Sequence, residues 1–574
     1  MILVSFKKAA LAAFFTLASL LHAFGVLLFA AAWLSYDHYR PWVNFHSESL
    51  AFASLGLLVA SRCMATTGHS RLTPKIVLWA FAVMLIPWVQ YVFNISLFAG
   101  DAVVASLFIY GLAAAMWLGF SYATDANDEQ SLFPVFCLLW GVAIVSASIG
   151  LLQWLNLQEF FTVYVVQTDV GERAMGNLGQ PNQLATLMLI GIASIAWTFE
   201  KKRIGATGLI VGVAFLTMAL VLSRSRAGML SALTISIFLL WKSGSLGTRL
   251  RPHHIFLWIL MYGLGLFLVP YLQDFLMLGG DIRTMNVTKD DARSTIWKQV
   301  SAGISQAPWF GYGWNQTPTA HSAGSLAVSG VLTYAYAHNI VLDLLAWNGI
   351  PLGLLLTGLC AWWFVSRIYR VRQINAVYAM TALLPVIVHS MVEYPYAYSY
   401  FLLAAGLMVG IVEAAHLGVQ TISLKLRWMA GSLAIWFVLG GYMVYEYLMI
   451  EKDFVIVRFE NLRVGQTPVD YAAPKILLLS HMGAMLDAYR QKPMPRMSSH
   501  ALDNLRRSSL RFSISTLNLR YAVALGLNGS PAEATRQFAI IRGMYGPRYY
   551  QIAVSVMREL QAEKYPELSL VVTP

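Results

Sequence analysis

The residues that could carry chemistry are concentrated in a few polar segments of a strongly apolar chain. The first segment, ERAMGNLGQPNQLAT at 172–186, contains Arg173, Gln180 and Asn182 and directly precedes an apolar run. Its glycines and proline permit a tight turn, and its amides can both donate and accept hydrogen bonds. The segment therefore predicts either a polar binding loop or an ordinary helix cap.

Two arginines mark the second segment, SRSRAG at 223–228. Arg224 and Arg226 flank the predicted start of a short helix, where the helix dipole also attracts anions. Planar guanidinium groups bind phosphate through paired hydrogen bonds, so the segment predicts a phosphate site. The alternative is that both side chains only snorkel towards the membrane interface.

The third segment joins a predicted amphipathic helix, KDDARSTIWKQ at 289–299, to an aromatic turn-rich stretch at 307–316. The helix carries Arg293 and Trp297, and it is equally typical of an ordinary loop helix with a packing tryptophan. The Asp290-Asp291 pair at its start could bind a cation, although adjacent acids in a loop are usually solvated. We find no HExxH motif and no Cys or His spacing typical of a metal site, so no metal is expected.

The fourth segment, AHNIVLDLLAWNGIP at 337–351, opens an apolar run with His338 and Asn339, one turn before Asp343. Histidine can act as a general base near neutral pH, whereas a single histidine at a helix start is more often structural. A related stretch, HSMVEYPYAYSY, adds His389, Glu393 and Tyr394. Aromatic belts at membrane interfaces explain the tyrosines but not a carboxylate beside a proline.

The elements that must position these segments are membrane helices. Apolar residues make up 58% of the 574 residues, and charged residues make up 12%, against about 25% in an ordinary soluble domain. This composition excludes a globular cytosolic enzyme, a disordered chain and a fibrous protein. Runs near the length of about 20 residues that a membrane helix needs occur at 10–34, 44–61, 76–99, 102–122, 132–153, 183–199, 204–222, 225–241, 255–272, 339–366, 375–391, 396–416 and 428–449.

The distribution of positive charge predicts the orientation of these helices. Lysine and arginine cluster in short loops on one side of the predicted bundle, for example at Lys201, Lys202 and Arg203. Cytoplasmic loops carry this excess, so the N-terminus is expected inside and all four polar segments outside. The net charge of +12 is explained by this topology, and we predict no nucleic-acid binding. The three cysteines lie scattered in apolar segments and form no disulfide framework.

We therefore predict an all-α polytopic membrane protein with about 13 transmembrane helices. Helices 1 to 9 occupy 1–272, a large outer loop 273–338, helices 10 to 13 residues 339–449, and a soluble α-helical C-terminal domain 450–574. In that domain, NGSPAE at 528–533 predicts a turn and a helix start. Ser530 would be the N-cap, Pro531 the first helical residue and Glu533 the partner in a capping box, giving a hairpin similar to a tetratricopeptide unit.

At these motifs the chain resembles the bacterial O-antigen ligase and polymerase superfamily, and within it the PglL-type protein O-oligosaccharyltransferases. The resemblance covers nearly the whole chain. The resemblance includes SRAG, RSTIW, the P-x-x-G-x-G stretch from Pro308 to Gly313 and the HN pair at 338–339, of which SR, R-x-x-x-W and HN are shared across the superfamily. The PglL-like marks are GNLGQPNQ, VEYP and the helical C-terminal region. The family often has histidine where this chain has Gln183, and we assign no role to that position.

The resemblance implies transfer of an oligosaccharide from a polyprenyl diphosphate, typically undecaprenyl diphosphate, to Ser or Thr hydroxyls of periplasmic or pilin proteins. The enzyme would lie in the bacterial inner membrane with its active site facing the periplasm, and no nucleotide sugar or soluble cofactor is expected. His338 matches a histidine implied to activate the acceptor hydroxyl, while Arg226 and Arg293 match arginines implied to hold the diphosphate. Positions implied to bind substrate are Arg224, Gln180, Tyr394, Arg173, Asn182, Asn339 and Glu393.

Three alternatives stay open at this point, one of which is a non-catalytic membrane receptor or scaffold that uses the C-terminal region. The same chemistry could join glycan to lipid A core, or polymerise glycan units on the carrier. A more distant alternative is a transporter of lipid-linked glycans, because polar groups in a membrane bundle also suit transport. Transporters usually contain internal repeats and polar residues near the membrane midplane, and neither is evident in this sequence.

Overall fold

A computed structural model of the protein describes residues 2–65, 69–279, 291–468 and 470–573. The helices before residue 280 are α1 (Ile2–Leu34), α2 (Phe45–Ala65), α3 (Lys75–Met84), α4 (Ile86–Val92), α5 (Ala99–Ala123), α6 (Asp128–Trp154), α7 (Pro181–Glu200), α8 (Ala206–Leu222), α9 (Arg226–Leu246) and α10 (Pro252–Phe275). Those after residue 290 are α11 (Asp291–Gln306), α12 (Thr317–Gly324), α13 (Ile340–Arg370), α14 (Ile374–Ser390), α15 (Ser399–Ala414), α16 (Leu426–Leu462), α17 (Ser480–Arg490), α18 (Ser499–Phe512), α19 (Ser515–Leu527) and α20 (Pro531–Glu563).

The chain forms two compact units. The first unit comprises Met1–Val83, Phe108–Met285 and Trp363–Gly441. The second unit comprises Met84–Leu107, Asn286–Trp362 and Tyr442–Pro574. The second unit thus combines the C-terminal region with a short early segment and with the stretch that contains α11 and α12.

Helices dominate the structure, which confirms the predicted all-α polytopic membrane fold. Each predicted apolar run contains a helix, and ten candidate spans in the described residues are long and apolar enough to cross a membrane. Helices α8, α14 and α15 are apolar but shorter. The count of 13 crossings therefore stays a prediction.

Helix α7 is the centre of the first unit, since all of its residues are buried. A helix that is apolar on every face needs cover on every side, and α6, α8, α9 and α14 pack against it. Small residues allow this approach: a Cβ on Gly191 would lie 2.4 Å from the Ala143 Cβ, and one on Gly228 would lie 2.8 Å from the Ala185 Cβ. Close backbone approach gives van der Waals contact in a lipid environment, where helices gain little from apolar burial.

The first unit also contains the two strands of the described chain, β1 (Ser70–Pro74) and β2 (Thr421–Lys425), which sequence analysis did not predict. They pair antiparallel, with Leu72 opposite Ser423. The strands are only five residues long, so their alternation is too short to be distinguished from a loop.

Helix α13 is interrupted at Gly349, which differs from the single apolar helix expected over 339–366. Gly349 has a φ of 75°, and a Cβ there would lie 2.4 Å from the Trp309 carbonyl oxygen. The loop at 308–313 packs onto the break, where the Tyr312 and Gly313 amides donate to the carbonyls of Ala346 and Trp347 at 2.8 and 3.0 Å. These bonds satisfy carbonyls that the interrupted helix leaves without partners, which gives the P-x-x-G-x-G stretch a structural role.

Helix α16 continues to Leu462, past the boundary predicted at residue 450. Asp453, within this continuation, is 1% exposed, and its carboxylate accepts hydrogen bonds from Arg490 and from Tyr471. A buried charge is tolerated inside a helix when partners satisfy it. The partners of Asp453 are distant in sequence, so the sequence alone does not predict that the helix continues.

Near the C-terminus, α19 and α20 pack against each other around buried Val523, Ala534, Phe538 and Ile541. Ser530 occupies the N-cap position and Pro531 the first helical position, but the Ser530 side chain makes no capping hydrogen bond. The predicted capping box is therefore wrong. Ser530 has φ and ψ of −121° and 57°, outside the extended conformation from which a serine hydroxyl reaches the next turn.

Candidate active site

The GNLGQPNQ loop of the first unit is held by two buried amides. The Gln153 Oε1 accepts hydrogen bonds from the amides of Met175 and Gly176 at 3.0 and 2.8 Å. The Asn177 Nδ2 donates to the Leu34 and Tyr164 carbonyls at 2.9 and 2.8 Å. Sequence reasoning missed Gln153, because it belongs to an apolar run. The Asn177 side chain holds its own loop in place through bonds to neighbouring backbone carbonyls.

Gln180 follows this fixed loop at the N-cap position of α7. Its backbone carbonyl accepts from the amides of Gln183 and Leu184, both at 3.1 Å. Its half-buried side chain makes no capping bond. The side-chain amide of Gln180 can therefore still donate and accept hydrogen bonds at the start of α7.

A buried chain of hydrogen bonds connects three motifs that are far apart in the sequence. The Ser225 hydroxyl donates to the Asn182 Oδ1 at 2.8 Å, and the Asn182 Nδ2 donates to the Glu393 Oε1 at 3.3 Å. All three side chains are buried, and the Ser225 Oγ also accepts from the Gly228 amide as the N-cap of α9. The structure therefore brings Asn182 and Glu393 together through direct contact.

His389 lies below this chain, at the end of α14, and is fully buried. The Thr186 hydroxyl donates to the Asn182 carbonyl at 3.0 Å and lies 2.9 Å from the His389 Nδ1. Because a hydroxyl has a single hydrogen, the His389 Nδ1 is the donor to Thr186. His389 thus supports the backbone of Asn182 from within the helix bundle.

The first unit also collects three of the predicted arginines. Arg224 has a φ of 45° and donates a hydrogen bond to the Gln273 Oε1 on α10, and partial burial lowers its pKa. The Arg173 guanidinium is exposed and donates to the Arg224 carbonyl at 3.4 Å. Arg226 is exposed at the first residue of α9, where the helix dipole adds to its positive charge.

Tyr394 is half-buried and precedes the turn at Pro395–Ala397. Its ring stacks on Tyr398 with centroids 5.7 Å apart. Sequence reasoning missed Tyr398, because its alternation with the other tyrosines looked like an interfacial belt. Gln183 is buried and accepts a hydrogen bond from Tyr400 at 3.2 Å.

In the second unit, His338 and Asn339 form the entry to α13. His338 is half-buried and has a φ of 55°, a left-handed conformation that non-glycine residues rarely adopt. The Asn339 Oδ1 accepts from the amides of Val341 and Leu342 at 2.9 and 3.2 Å. Asn339 therefore caps α13, and one side of its amide is already used.

The backbone of Ala337, directly before His338, is held at both its N–H and its carbonyl. The Ala337 amide donates to the buried Asp343 Oδ1 at 3.0 Å, and the Trp297 Nε1 donates to the Ala337 carbonyl at 2.9 Å. The Thr317 hydroxyl donates to the same Asp343 oxygen at 2.5 Å. We call these three side chains the Ala337 clamp. Fixing this peptide restricts the direction in which the His338 side chain can leave the backbone.

Arg293 belongs to α11, four residues before Trp297, so the two side chains share one face of the helix. Ile296 and Val300, which are buried, lie beside this face of the helix. The Tyr334 ring packs edge-on against the His338 ring, with centroids 5.0 Å apart. One helix thus carries both a half-buried arginine and the tryptophan that holds the peptide before His338.

The predicted site residues therefore form two sets. Arg173, Gln180, Asn182, Arg224, Arg226, Glu393 and Tyr394 belong to the first unit, whereas Arg293, His338 and Asn339 belong to the second. Among the described residues, no three His, Cys, Asp or Glu side chains are arranged to hold a metal ion. The predicted cation position includes Asp290, which lies outside the described residues.

Comparisons with known proteins decide the family. Three family models match consecutive parts of the chain: "Protein glycosylation ligase" at 174–199, "O-Antigen ligase" at 211–357 and "Virulence factor membrane-bound polymerase, C-terminal" at 377–559. The chain belongs to the protein-glycosylating branch of the O-antigen ligase superfamily. Apart from Arg173, every predicted site residue lies inside one of the matched ranges.

Two curated relatives from Acinetobacter baylyi are similar to this superfamily member. A "General O-oligosaccharyltransferase" is 28% identical over 538 residues, which cover 91% of this chain and 92% of that protein. A "ComP-specific O-oligosaccharyltransferase" is 25% identical over 371 residues, which cover 64% of this chain and 66% of that protein. This oligosaccharyltransferase is accordingly a glycosyltransferase and a multi-pass membrane protein.

Proposed function

We propose that this enzyme transfers a preassembled oligosaccharide from undecaprenyl diphosphate to Ser or Thr hydroxyls of periplasmic proteins, among them pilins. The bond between the sugar C1 and the diphosphate oxygen breaks, and a bond from C1 to the acceptor oxygen forms. The acceptor hydroxyl loses its proton, and the carrier leaves as its diphosphate. The reaction is a substitution that needs no oxidant, nucleotide or soluble cofactor.

The observation that carries this proposal is the position of Arg226. Its guanidinium is exposed at the N-terminus of α9, directly after Ser225 of the buried Ser225–Asn182–Glu393 chain. A planar cation at a helix N-terminus is suited to an anionic phosphate group, and charge-assisted bonds of this kind stabilise a departing diphosphate. We assign Arg226 and Arg293 to the diphosphate and Arg224 and Arg173 to supporting its charge.

His338 is assigned to the acceptor hydroxyl. Its strained backbone and the Ala337 clamp support this role, because strain that the surrounding structure maintains is typical of functional positions. A positioned histidine can accept the hydroxyl proton as the new bond forms. Since a diphosphate is already a good leaving group, orientation and charge stabilisation supply most of the required catalysis.

The remaining predicted residues are assigned to the sugar and the acceptor. Gln180 offers an amide that makes no other side-chain bond in the described chain, and Tyr394 offers a ring and a hydroxyl. Asn182, Asn339 and Glu393 are assigned mainly to holding these groups, because their polar atoms are engaged within each unit.

The proposal includes a location in the bacterial inner membrane, with the N-terminus in the cytoplasm and the site facing the periplasm. The excess of lysine and arginine in alternate short loops supports this orientation. In this orientation, a hydrophobic carrier reaches the site from the lipid phase, and an exported protein reaches it from the periplasm.

The test is a transfer assay in a bacterial host that lacks its own ligase and supplies one lipid-linked glycan, a pilin-type acceptor and lipid A core. We expect glycan on the pilin with the intact chain and none with His338→Ala. Glycan on lipid A alone would keep the chemistry and replace the protein acceptor. Full transfer by His338→Ala would contradict the role of the histidine.

A further inference from the structure

A groove in the second unit is not used by the scheme above. It has a volume of about 770 Å³ and lies among α17, α18, the chain segment 473–476 and Phe98. Clefts that bind ligands usually have volumes of about 300–1,000 Å³. Its polar lining includes Lys475, Ser480, Asp487, Gln491, His500 and Asn504. The groove is therefore large enough, and polar enough, to receive a ligand.

The segment on one side of the groove is fixed by a buried carboxylate. Glu446 on α16 is fully buried, and its carboxylate accepts hydrogen bonds from the amides of Leu477, Leu478 and Leu479 at 2.6, 2.9 and 3.0 Å. These bonds fix the chain between Lys475 and the start of α17. A binding surface that is ordered before the ligand arrives loses less entropy on binding.

Ion pairs fix the two helices of the groove. Arg490 on α17 donates to Asp453 at 2.6 Å and to Glu460 at 3.0 Å, and these bonds raise its pKa. Arg511 on α18 pairs with buried Asp101 at 2.7 Å. Both arginines already form ion pairs within the chain, so a ligand would have to pair with other charged groups of the groove.

Of the two acidic residues that line the groove, Asp503 pairs with Arg506 and Arg507, whereas Asp487 forms no ion pair in the described chain. Its exposed carboxylate forms no hydrogen bond or ion pair within the described chain. Partial desolvation raises the pKa of Asp487, the nearby Arg490 opposes this shift, and repulsion from Asp453 adds to it. A carboxylate in such surroundings gains when a cation approaches it from solvent.

The lining argues against the glycan donor as the ligand. The unpaired carboxylate of Asp487 would repel a diphosphate. The two arginines of the lining, Arg490 and Arg507, are already paired with carboxylates of the chain. Sugars commonly stack on exposed aromatic faces, yet Phe98 is the only aromatic residue of the described lining and is 7% exposed. Both signs of charge, amides and apolar patches at Ile476 and Ala484 favour a polypeptide, which offers all the complementary groups.

We propose that this groove binds a segment of the acceptor protein and that a basic side chain of that segment pairs with Asp487. The inference rests on the proposed function and deepens it by assigning acceptor recognition to α17 and α18. It also separates recognition from the α19–α20 hairpin, whose exposed Glu533 provides a matched comparison.

The experiment measures transfer by the full-length chain in lipid nanodiscs at saturating donor, with the concentration of a pilin-type acceptor varied. Asp487→Lys should raise the acceptor KM by about three- to tenfold while kcat stays within about twofold, because like charges at an interface weaken encounter and binding. Asp487→Asn should give a smaller rise. Glu533→Lys makes the same charge reversal on the hairpin and should leave both constants unchanged.

Ionic strength supplies a second readout. Added salt screens an exposed ion pair, so the wild-type acceptor KM should rise with salt and that of Asp487→Asn should not. Equal constants for Asp487→Lys and Glu533→Lys would overturn the inference, as would a rise in KM for Glu533→Lys alone. A loss of kcat without a change in KM would also overturn it. Failure of the wild type to modify any protein would instead contradict the proposed function.

Discussion

At the scale of single residues, the enzyme relies on where arginines stand relative to helix ends. Arg226 is exposed at the start of α9, whereas Arg224, two residues earlier, is half-buried and bonded to Gln273. The two arginines of this short segment thus differ in their exposure to solvent. The difference follows from α10, which supplies Gln273 and is remote in sequence.

We expect Arg226→Ala and Arg293→Ala each to lower the transfer rate by roughly 100-fold, because removing one charge-stabilising donor typically costs about 3 kcal/mol in the transition state. Arg226→Lys should recover little, since lysine lacks the planar fork. The measurement is single-turnover transfer by purified protein. Arg203→Ala, which removes an exposed arginine paired with Glu129, is the control. Full activity in both alanine variants would contradict the diphosphate assignment.

The candidate residues could be predicted from the sequence, but most of their supports could not. Asn182 and Glu393 stand out because amides and acids are rare at membrane helix ends. Gln153 and Thr186 give no such signal, because each lies within a predicted apolar run, at 132–153 and at 183–199. Their roles depend on which loop or helix packs over them, and a single sequence does not specify those contacts.

At the scale of elements, α11, α12 and α13 act together through the Ala337 clamp. Trp297→Phe removes the indole donor together with one ring of the side chain, and Asp343→Asn removes the charge. We expect each to lower kcat about tenfold and to leave the acceptor and donor KM within about twofold, since small losses of orientation act on the chemical step. Acceptor and donor titrations measure both constants. Trp309→Phe changes an exposed tryptophan and serves as control; an equal effect there would refute the clamp's role.

The contact between α11 and α12 should depend on pH. His321 is fully buried, its Nε2 lies 2.6 Å from the Gln299 Oε1, and burial lowers its pKa to about 4. The folded state therefore favours neutral histidine: its stability is complete above about pH 6.5 and decreases as the pH falls towards 4, by about 3 kcal/mol at most. Thermal unfolding followed by tryptophan fluorescence should show a weaker pH dependence in His321→Gln. Parallel curves for the two proteins would exclude this role.

The break in α13 shows how far element prediction from sequence can go. An apolar run predicts a continuous helix over 339–366, and its pattern does not change at Gly349. The signal that existed was the glycine followed by Pro351, but such pairs also occur in uninterrupted membrane helices. The break is stabilised by the loop at 308–313, in which two backbone amides donate to the carbonyls of Ala346 and Trp347.

At the scale of the whole molecule, the acidic and basic groups follow different rules in different parts of the chain. Positive charge in the short loops reports the orientation of the helices. In the C-terminal region the charges instead form compensated pairs, such as Arg490 with Asp453. Long translocated regions escape the charge bias of short loops, so the basic tail does not contradict a periplasmic location.

The distribution of positive charge predicts that residue 574 lies on the periplasmic side of the membrane. Alkaline phosphatase is active only outside the cytoplasm, whereas green fluorescent protein becomes fluorescent only inside when exported unfolded. We expect phosphatase fused after Pro574 to be active and the matching fluorescent fusion to be dark. Fusions after Lys202, in a basic loop, should behave in the opposite way and control for expression. A fluorescent fusion after Pro574 would mean that one of the weaker spans, such as α8 or α14, does not cross, and the groove of the second unit would then face the wrong compartment for an exported acceptor.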